Sequence, residues 1–189
     1  MYPWSPLVRF GAMRSQPGDT TVNPEVPPEK PAAEFDSFFV DFHDLLIDKH
    51  RMLLPSEFRK CIKPERDGKG FFIFVGPNGT PWFYTERRFT ELARELRSNK
   101  IPGQTAVDFK HIMFGKATHQ EWDKQWRVPI PERIRVEASI GTEVTLVGAE
   151  DHLEMWNRKE WTVHNAALNG KRADIFQKIE ELQSPTGPR

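Results

Sequence analysis

A single cysteine, Cys61, is all the thiol chemistry this 189-residue sequence holds, so an internal disulfide is excluded. That scarcity is what a reducing cytoplasm permits. Charge of one sign is missing too, because 27 lysines and arginines are balanced by 27 aspartates and glutamates. No global positive field is then available to hold a polyanion, and any contact with nucleic acid falls to locally placed arginines. No run approaches the roughly 18 to 20 consecutive apolar residues that a membrane span needs. The opening residues Met1 to Phe10 contain prolines and lack the apolar stretch of a signal peptide, so secretion is not expected.

Catalytic constellations are absent as well. The histidines, His43, His50, His111, His119, His152 and His164, show no metal spacing with one another or with Cys61. Asp67-Gly68-Lys69-Gly70 and Pro77-Asn78-Gly79 read as hairpin turns and not as a phosphate loop. No serine sits in a nucleophile elbow. Cys61 falls on a core-facing helical turn, where a small buried hydrophobe is its ordinary role. The expectation is a protein that is not an enzyme, with no metal, no cofactor and no small-molecule substrate.

What the sequence does have is a duplication. Residues 1–34 carry seven prolines and almost no periodic apolar residues, and read as a disordered tail, either solvated or offering a polyproline ligand. From Phe35 the composition changes. Arg51-Met-Leu-Leu-Pro55-Ser-Glu-Phe-Arg59 aligns with Arg127-Val-Pro-Ile-Pro131-Glu-Arg-Ile-Arg135, 76 residues on. Val75-Gly76 aligns with Val147-Gly148, Phe83-Tyr84 with Met155-Trp156 and Phe89-Thr90 with Trp161-Thr162, all 72 residues on. Read this way, the register runs without a gap after four extra residues in the first half's Pro64–Gly70 loop.

Each unit reads as an extended segment (38–46; 116–122), a polar turn, a short strand (52–54; 128–130) and a helical turn opened by proline (56–61; 132–138). Two strands follow (71–75 with 82–84; 143–147 with 153–156), then a closing helix. The first closing helix, 86–97, sets Phe89, Leu92, Ala93 and Leu96 on one face, and the second, 158–168, does so with Trp161, His164 and Leu168. Residues 98–105 read as a linker and 107–114 as a connecting helix. An amphipathic helix over 171–182 offers Ile175, Ile179 and Leu182 either to its own chain or to a neighbouring subunit.

Read as a whole, the chain resembles the MraZ family, whose two repeats share the swapped-hairpin barrel of AbrB-type regulators. The family frame runs Asp-x-x-Gly-Arg-hydrophobic-x-hydrophobic-Pro, then a helix, a Val-Gly turn and an aromatic before a closing helix. Asp123-Lys-Gln-Trp-Arg127-Val-Pro-Ile-Pro131 fits it, with Phe114-Gly115 before it and Val147-Gly148, Trp156 and Trp161 after it. In the first half Arg51 and Pro55 fit, but Ile47 stands at the acidic position and Asp48 comes one residue late. His50 and Trp126 stand where the family has turn glycines, which implies a changed turn or a changed outer surface. Trp126 is the one tryptophan expected away from the core, either stacking on a base or covering an interface.

The resemblance implies an α+β fold, mainly β, in which two tandem repeats form a pseudo-twofold barrel with flanking helices. Its divisions would be a tail at 1–34, repeats at 35–106 and 107–182, and a second tail at 183–189. It also implies a cytoplasmic, nucleoid-associated repressor that binds double-stranded DNA as a homo-oligomeric ring, an octamer or larger. Its operators would be short repeats upstream of division and cell-wall genes. The DNA-binding residues would be Arg51 and Arg127, joined by Lys49 and Lys124 in the same turns. Asp123 would brace Arg127 or the turn, whereas no equivalent carboxylate carries over to Arg51. Asp48, Arg59 and Arg135 would support the local fold, with phosphate contact the alternative for the two arginines. The competing reading of the arginines is a set of intramolecular ion pairs at strand ends, and that of the whole protein is an assembly or interaction module that keeps the fold without binding DNA.

Overall fold

The computed structural model describes residues 38–98 and 103–183. The tail expected over 1–34, most of the one expected over 183–189 and part of the linker lie outside the described residues.

The first half runs β1 (Phe42–Leu46), β2 (Arg51–Leu53), α1 (Ser56–Lys60), α2 (Pro64–Asp67), β3 (Gly70–Val75), β4 (Pro81–Thr85) and α3 (Glu86–Ser98). The connection is α4 (Gln104–Lys110) and a π-helical turn, His111–Gly115. The second half repeats the order with β5 (Thr118–Glu121), β6 (Arg127–Pro129), α5 (Glu132–Glu137), β7 (Glu143–Gly148), β8 (Leu153–Asn157) and α6 (Arg158–Gly170), and ends on α7 (Arg172–Gln183). The extra residues of the first half are α2. Pro64 opens it, and the buried Asp67 carboxylate closes it by accepting the Lys63 backbone N–H (2.8 Å) and the Arg66 guanidinium (2.8 Å).

The strands form a six-stranded antiparallel sheet, β1-β7-β8-β4-β3-β5, and a two-stranded ribbon, β2-β6. The order is symmetric about the β8–β4 pair, and the halves exchange their first strands: β1 pairs with β7, and β5 with β3. Neither first strand has a partner in its own half beyond its turn, so each half is completed by the other. One core serves both, from Met52, Leu54, Phe58, Phe71, Ile73 and Phe83 on one side to Val128, Ile130, Ile134, Val144, Leu146 and Met155 on the other.

Two expectations of the architecture change. The fold is mixed α+β with more residues in helices than in strands, so it is not mainly β. The hydrogen bonding does not close into a barrel, because β1 and β5 are the two edges of the sheet. Closure would need a ladder between β1 and β2, but that hairpin holds a single bridge, Asp48 to Arg51, after which β2 spends its hydrogen bonds on β6.

The gapless register of the repeats is also corrected. Side chains alternate with a period of two, so a slip of one residue exchanges core and surface. The buried Phe71 and Ile73 stand where the buried Val144 and Leu146 do, 73 residues on, whereas Phe83 stands where Met155 does, 72 residues on. The turn absorbs the difference. In the first half, Gly76 donates to Thr80 around Pro77-Asn78-Gly79, and in the second, Ala149 donates to His152 around Glu150-Asp151 alone.

Gly148 is needed for a close approach. A Cβ there would lie 2.6 Å from the backbone carbon of Phe39 and 2.6 Å from the nitrogen of Val40, and backbone does not swing aside. Gly148→Ala is therefore expected to cost about 1–3 kcal/mol in urea unfolding. Gly170→Ala, where a Cβ meets nothing within 4 Å, is the control that should lose no stability.

The second core gathers under α3, where Phe89, Leu92 and Leu96 pack on Phe72, Phe74, Tyr84, Met113 and Phe114, as the helical spacing requires. The equivalent face of α6 is barer. Trp161 packs on Phe42 (5.5 Å between centroids) and Trp156 (5.7 Å), but His164 and Leu168 stay exposed. On α7 the apolar residues Ile175, Phe176, Ile179 and Leu182 are exposed, so that helix does not pack its stripe on its own chain. No helix among the described residues is long and apolar enough to cross a membrane.

At the central seam His152, from the β7–β8 turn, lies over the first half's Trp82 (4.3 Å) and Tyr84 (4.9 Å). Its Nδ1 faces Asp151 (2.7 Å), its Nε2 faces Glu154 (3.4 Å), and Arg88 of α3 donates to Asp151 (2.9 Å). Burial pushes the imidazole down, but the hydrogen bonds and charges of Asp151 and Glu154 outweigh it, and the net shift is upward from 6.5. A raised histidine value stabilises the fold fully below the unfolded value and loses that contribution as pH rises through the folded one. Melting temperature is accordingly expected to fall as pH rises above about 6.5, and His152→Gln should flatten that slope. An equal slope in the variant would assign it to another group.

Candidate nucleic-acid interface

The ribbon is the element that positions the predicted DNA-binding arginines. Its register sets Arg51 opposite Pro129, Met52 opposite Val128 and Leu53 opposite Arg127. Because strand side chains alternate, the central pair, Met52 and Val128, enters the core, and the flanking pairs face outward. Arg51 and Arg127 thus occupy diagonal corners of one outer face, each with about half of its side chain exposed. Leu53 and Pro129 hold the other corners, and Leu53 is half-exposed.

Each turn that launches the ribbon closes on an aspartate. In the first, Asp48 and Arg51 exchange backbone hydrogen bonds (3.0 and 2.8 Å) around Lys49 (φ 45°) and His50 (φ 63°), the two positive values of a tight two-residue hairpin loop. In the second, Asp123 donates to the Arg127 carbonyl (3.1 Å) and accepts from Trp126 N–H (2.8 Å), with one more residue in the loop. Asp48 is therefore the backbone counterpart of Asp123. The assignment of Ile47 to the acidic position is corrected, since Ile47 is buried in the core and the first turn is one residue shorter.

His50 and Trp126 are true equivalents. Trp126 has φ 62°, so both hold the left-handed conformation that glycine adopts most cheaply, and the replacements do not change the handedness of the turn at that position. The carbonyl of each is used by the other half. Trp126 O accepts from Leu54 N–H (3.0 Å), and His50 O accepts from Ile130 N–H (2.8 Å). The Trp126 ring stacks on Trp122 (5.0 Å, 13°) and packs against the core, which corrects the expectation that it lies away from the core.

Asp123 is the electrostatic centre. Its Oδ1 accepts the backbone N–H groups of Gln125 (2.8 Å) and Arg127 (3.0 Å), and its Oδ2 accepts Arg127 Nε (2.7 Å) and Arg51 Nη1 (3.2 Å). The Arg127 N–H first, and then its guanidinium and the Gln125 N–H, hold this carboxyl down to about 2, so it stays ionised at any physiological pH. Arg51 has a carboxylate after all, supplied by the other half.

Lys49 and Lys124 flank the arginines on the two turns, exposed and with no ion pair among the described residues. Arg59 Nε donates to the Leu54 carbonyl (2.6 Å), tying α1 back to the end of β2. Arg135 of α5 bonds the His50 ring and Glu132 (3.4 Å), tying α5 to the opposite turn. The ribbon thus gathers Arg51, Arg127, Lys49, Lys124, Asp48 and Asp123 at one end of the fold, with Arg59 and Arg135 behind them. The ion-pair reading of the arginines is met, since both pair with the Asp123 carboxylate at the starts of β2 and β6, and it leaves each of them further N–H groups for another partner. Sequence reasoning missed outward Leu53, although period-two alternation from the buried Met52 was the signal that places it there.

The family model described as "MraZ protein, putative antitoxin-like" matches residues 113–183. "Transcriptional regulator MraZ" of Moorella thermoacetica is 31% identical over 145 residues, 77% of this chain and 98% of that protein. The protein of the same name from Finegoldia magna is 31% identical over 141 residues, 75% and 94% of the two chains. The chain belongs to the MraZ family.

The family match covers the half whose turn keeps the full Asp123-to-Arg127 length, and the full-length relatives extend the likeness across both halves. MraZ proteins are named as transcriptional regulators and are not enzymes. Burial pushes the Cys61 thiol up, away from the thiolate that a nucleophile would need.

Proposed function

We propose that this MraZ-family chain is a cytoplasmic, nucleoid-associated DNA-binding repressor. It engages short repeated operators upstream of division and cell-wall genes as a ring of subunits. The observation that carries the reading is the outer face of the β2–β6 ribbon, with Arg51 and Arg127 diagonal on it and Lys49 and Lys124 beside them. A two-stranded ribbon fits the major groove, and an arginine fork pairs with guanine O6 and N7. Four cations against Asp48 and Asp123 make this end locally positive in a chain of zero net charge. A ring repeats the patch, so modest contacts add through effective concentration. The bare apolar stripe of α7 is suited to contact between subunits.

That stripe also favours the second reading, an assembly module that keeps the fold without binding DNA. Fluorescence anisotropy with a duplex carrying several short guanine-rich repeats, over a salt series, separates the two. The DNA reading expects binding at low salt that weakens with a log–log slope of roughly −3 to −4 per engaged subunit. Absence of binding at low salt would leave the assembly module. A concentration-independent monomer by light scattering would remove the ring from either reading.

A further inference from the structure

We propose that Asp123 is a positioning residue shared by both arginines of the ribbon, so that the two halves read DNA as one coupled unit and not as two independent sites. This rests on the DNA-binding reading above. Four donors converge on the carboxylate, and its two oxygens do different work. Oδ1 takes the backbone N–H groups of Gln125 and Arg127 and so shapes the second turn. Oδ2 takes one guanidinium from each half. Asp48 closes the first turn by its backbone alone, and its carboxylate takes no hydrogen bond or ion pair from Arg51.

The arginines are held by different atoms, and that leaves different edges available. Arg127 is gripped by Nε (2.7 Å), which leaves its Nη1 and Nη2 edge. Arg51 is gripped by Nη1 (3.2 Å), which leaves the Nε and Nη2 edge. Each remaining edge is a two-donor fork of the kind that pairs bidentately with a guanine. Both side chains are about half exposed, so without the anion each would sample many rotamers and would lose that freedom on binding. Holding both in advance on one carboxylate removes that cost from both at once. Withdrawing it releases both.

Asp123→Asn separates the two tasks. The amide oxygen still accepts the Gln125 and Arg127 N–H groups, while an NH2 now faces two guanidinium donors and holds neither. The experiment measures binding of the full chain to the guanine-rich repeat duplex and to a scrambled duplex of the same composition. It uses wild type, Asp123→Asn, Arg51→Ala and the double variant. The shared role expects the repeat-over-scrambled preference to fall roughly tenfold in Asp123→Asn, with scrambled-duplex affinity unchanged or higher because a negative charge is gone. It also expects the losses from Asp123→Asn and Arg51→Ala to be less than additive. A collapsed turn would instead lower both affinities together. Wild-type binding with additive losses overturns the shared role and leaves the DNA reading standing, whereas no wild-type binding to either duplex overturns both.

Discussion

Arg51→Ala/Arg127→Ala is expected to lower affinity for a repeat-bearing duplex by roughly 100-fold or more while leaving the fold intact. A good bidentate arginine–guanine contact is worth about 1–3 kcal/mol of discrimination, and two are removed from each engaged subunit. The salt dependence should weaken as well, by close to two in slope per subunit if each arginine displaces one counterion. Stability should hardly move, because both side chains are about half exposed and their ion pairs with Asp123 lie in solvent. Anisotropy over a salt series, with thermal melting of the same samples, checks both halves of this expectation. Unchanged affinity in the double variant would take the ribbon out of DNA recognition altogether. A large loss of melting temperature would recast these arginines as structural.

Phe83→Ala is expected to have the largest effect on stability. Phe83 is fully buried on β4, pairs across the central seam with Leu153 of β8 and meets Phe71 edge-on (6.0 Å, 88°). Truncating a buried phenylalanine costs about 3–5 kcal/mol, from lost transfer energy together with the cavity left behind. In a chain of this size that lowers Tm by roughly 10 °C. Because the residue touches both halves of a strand-exchanged unit, the loss should appear as one cooperative transition shifted down, not as selective melting of the first half. Two separated transitions in calorimetry would contradict the single shared core.

Much of this was legible in the chain itself. Arg51 and Arg127 with their prolines marked the strand-to-helix joint in each half, and Pro55 and Pro131 do stand immediately before α1 and α5. The aromatic spacing of Phe89, Leu92 and Leu96 placed a helix over a core, which it covers. The same pattern overstated α6, whose polar residues leave Leu168 in solvent. The spacing over 107–114 predicts ordinary helix, and apolar spacing does not distinguish from it the π-helical turn at His111–Gly115.

The interface itself was half legible. The charged turns beside short apolar strands placed the four cations, and the family resemblance named Asp123 as the acid. Who pairs with whom could not be read that way. Asp123 holds Arg51 across 72 residues of chain, and the carbonyls of His50 and Trp126 are satisfied by Ile130 and Leu54 of the opposite halves. Aligning repeats by identity also slipped β3 against β7 by one position, because turn length is free to vary where strand faces are not.

The sequence by itself determined the duplication, the order of the repeated elements apart from α2, the location of the cationic turns and the family resemblance, because these depend on local periodicity and on ordered motifs at short spacing. Only the tertiary structure decided that the halves exchange their first strands, that β2 and β6 pair into one outward ribbon and that a single carboxylate serves both arginines. Those outcomes follow from which backbone and charged groups find partners 70 or more residues away, and no local pattern encodes such a choice. It is settled by the requirement that buried backbone be hydrogen-bonded and that the inward faces of the strands be covered.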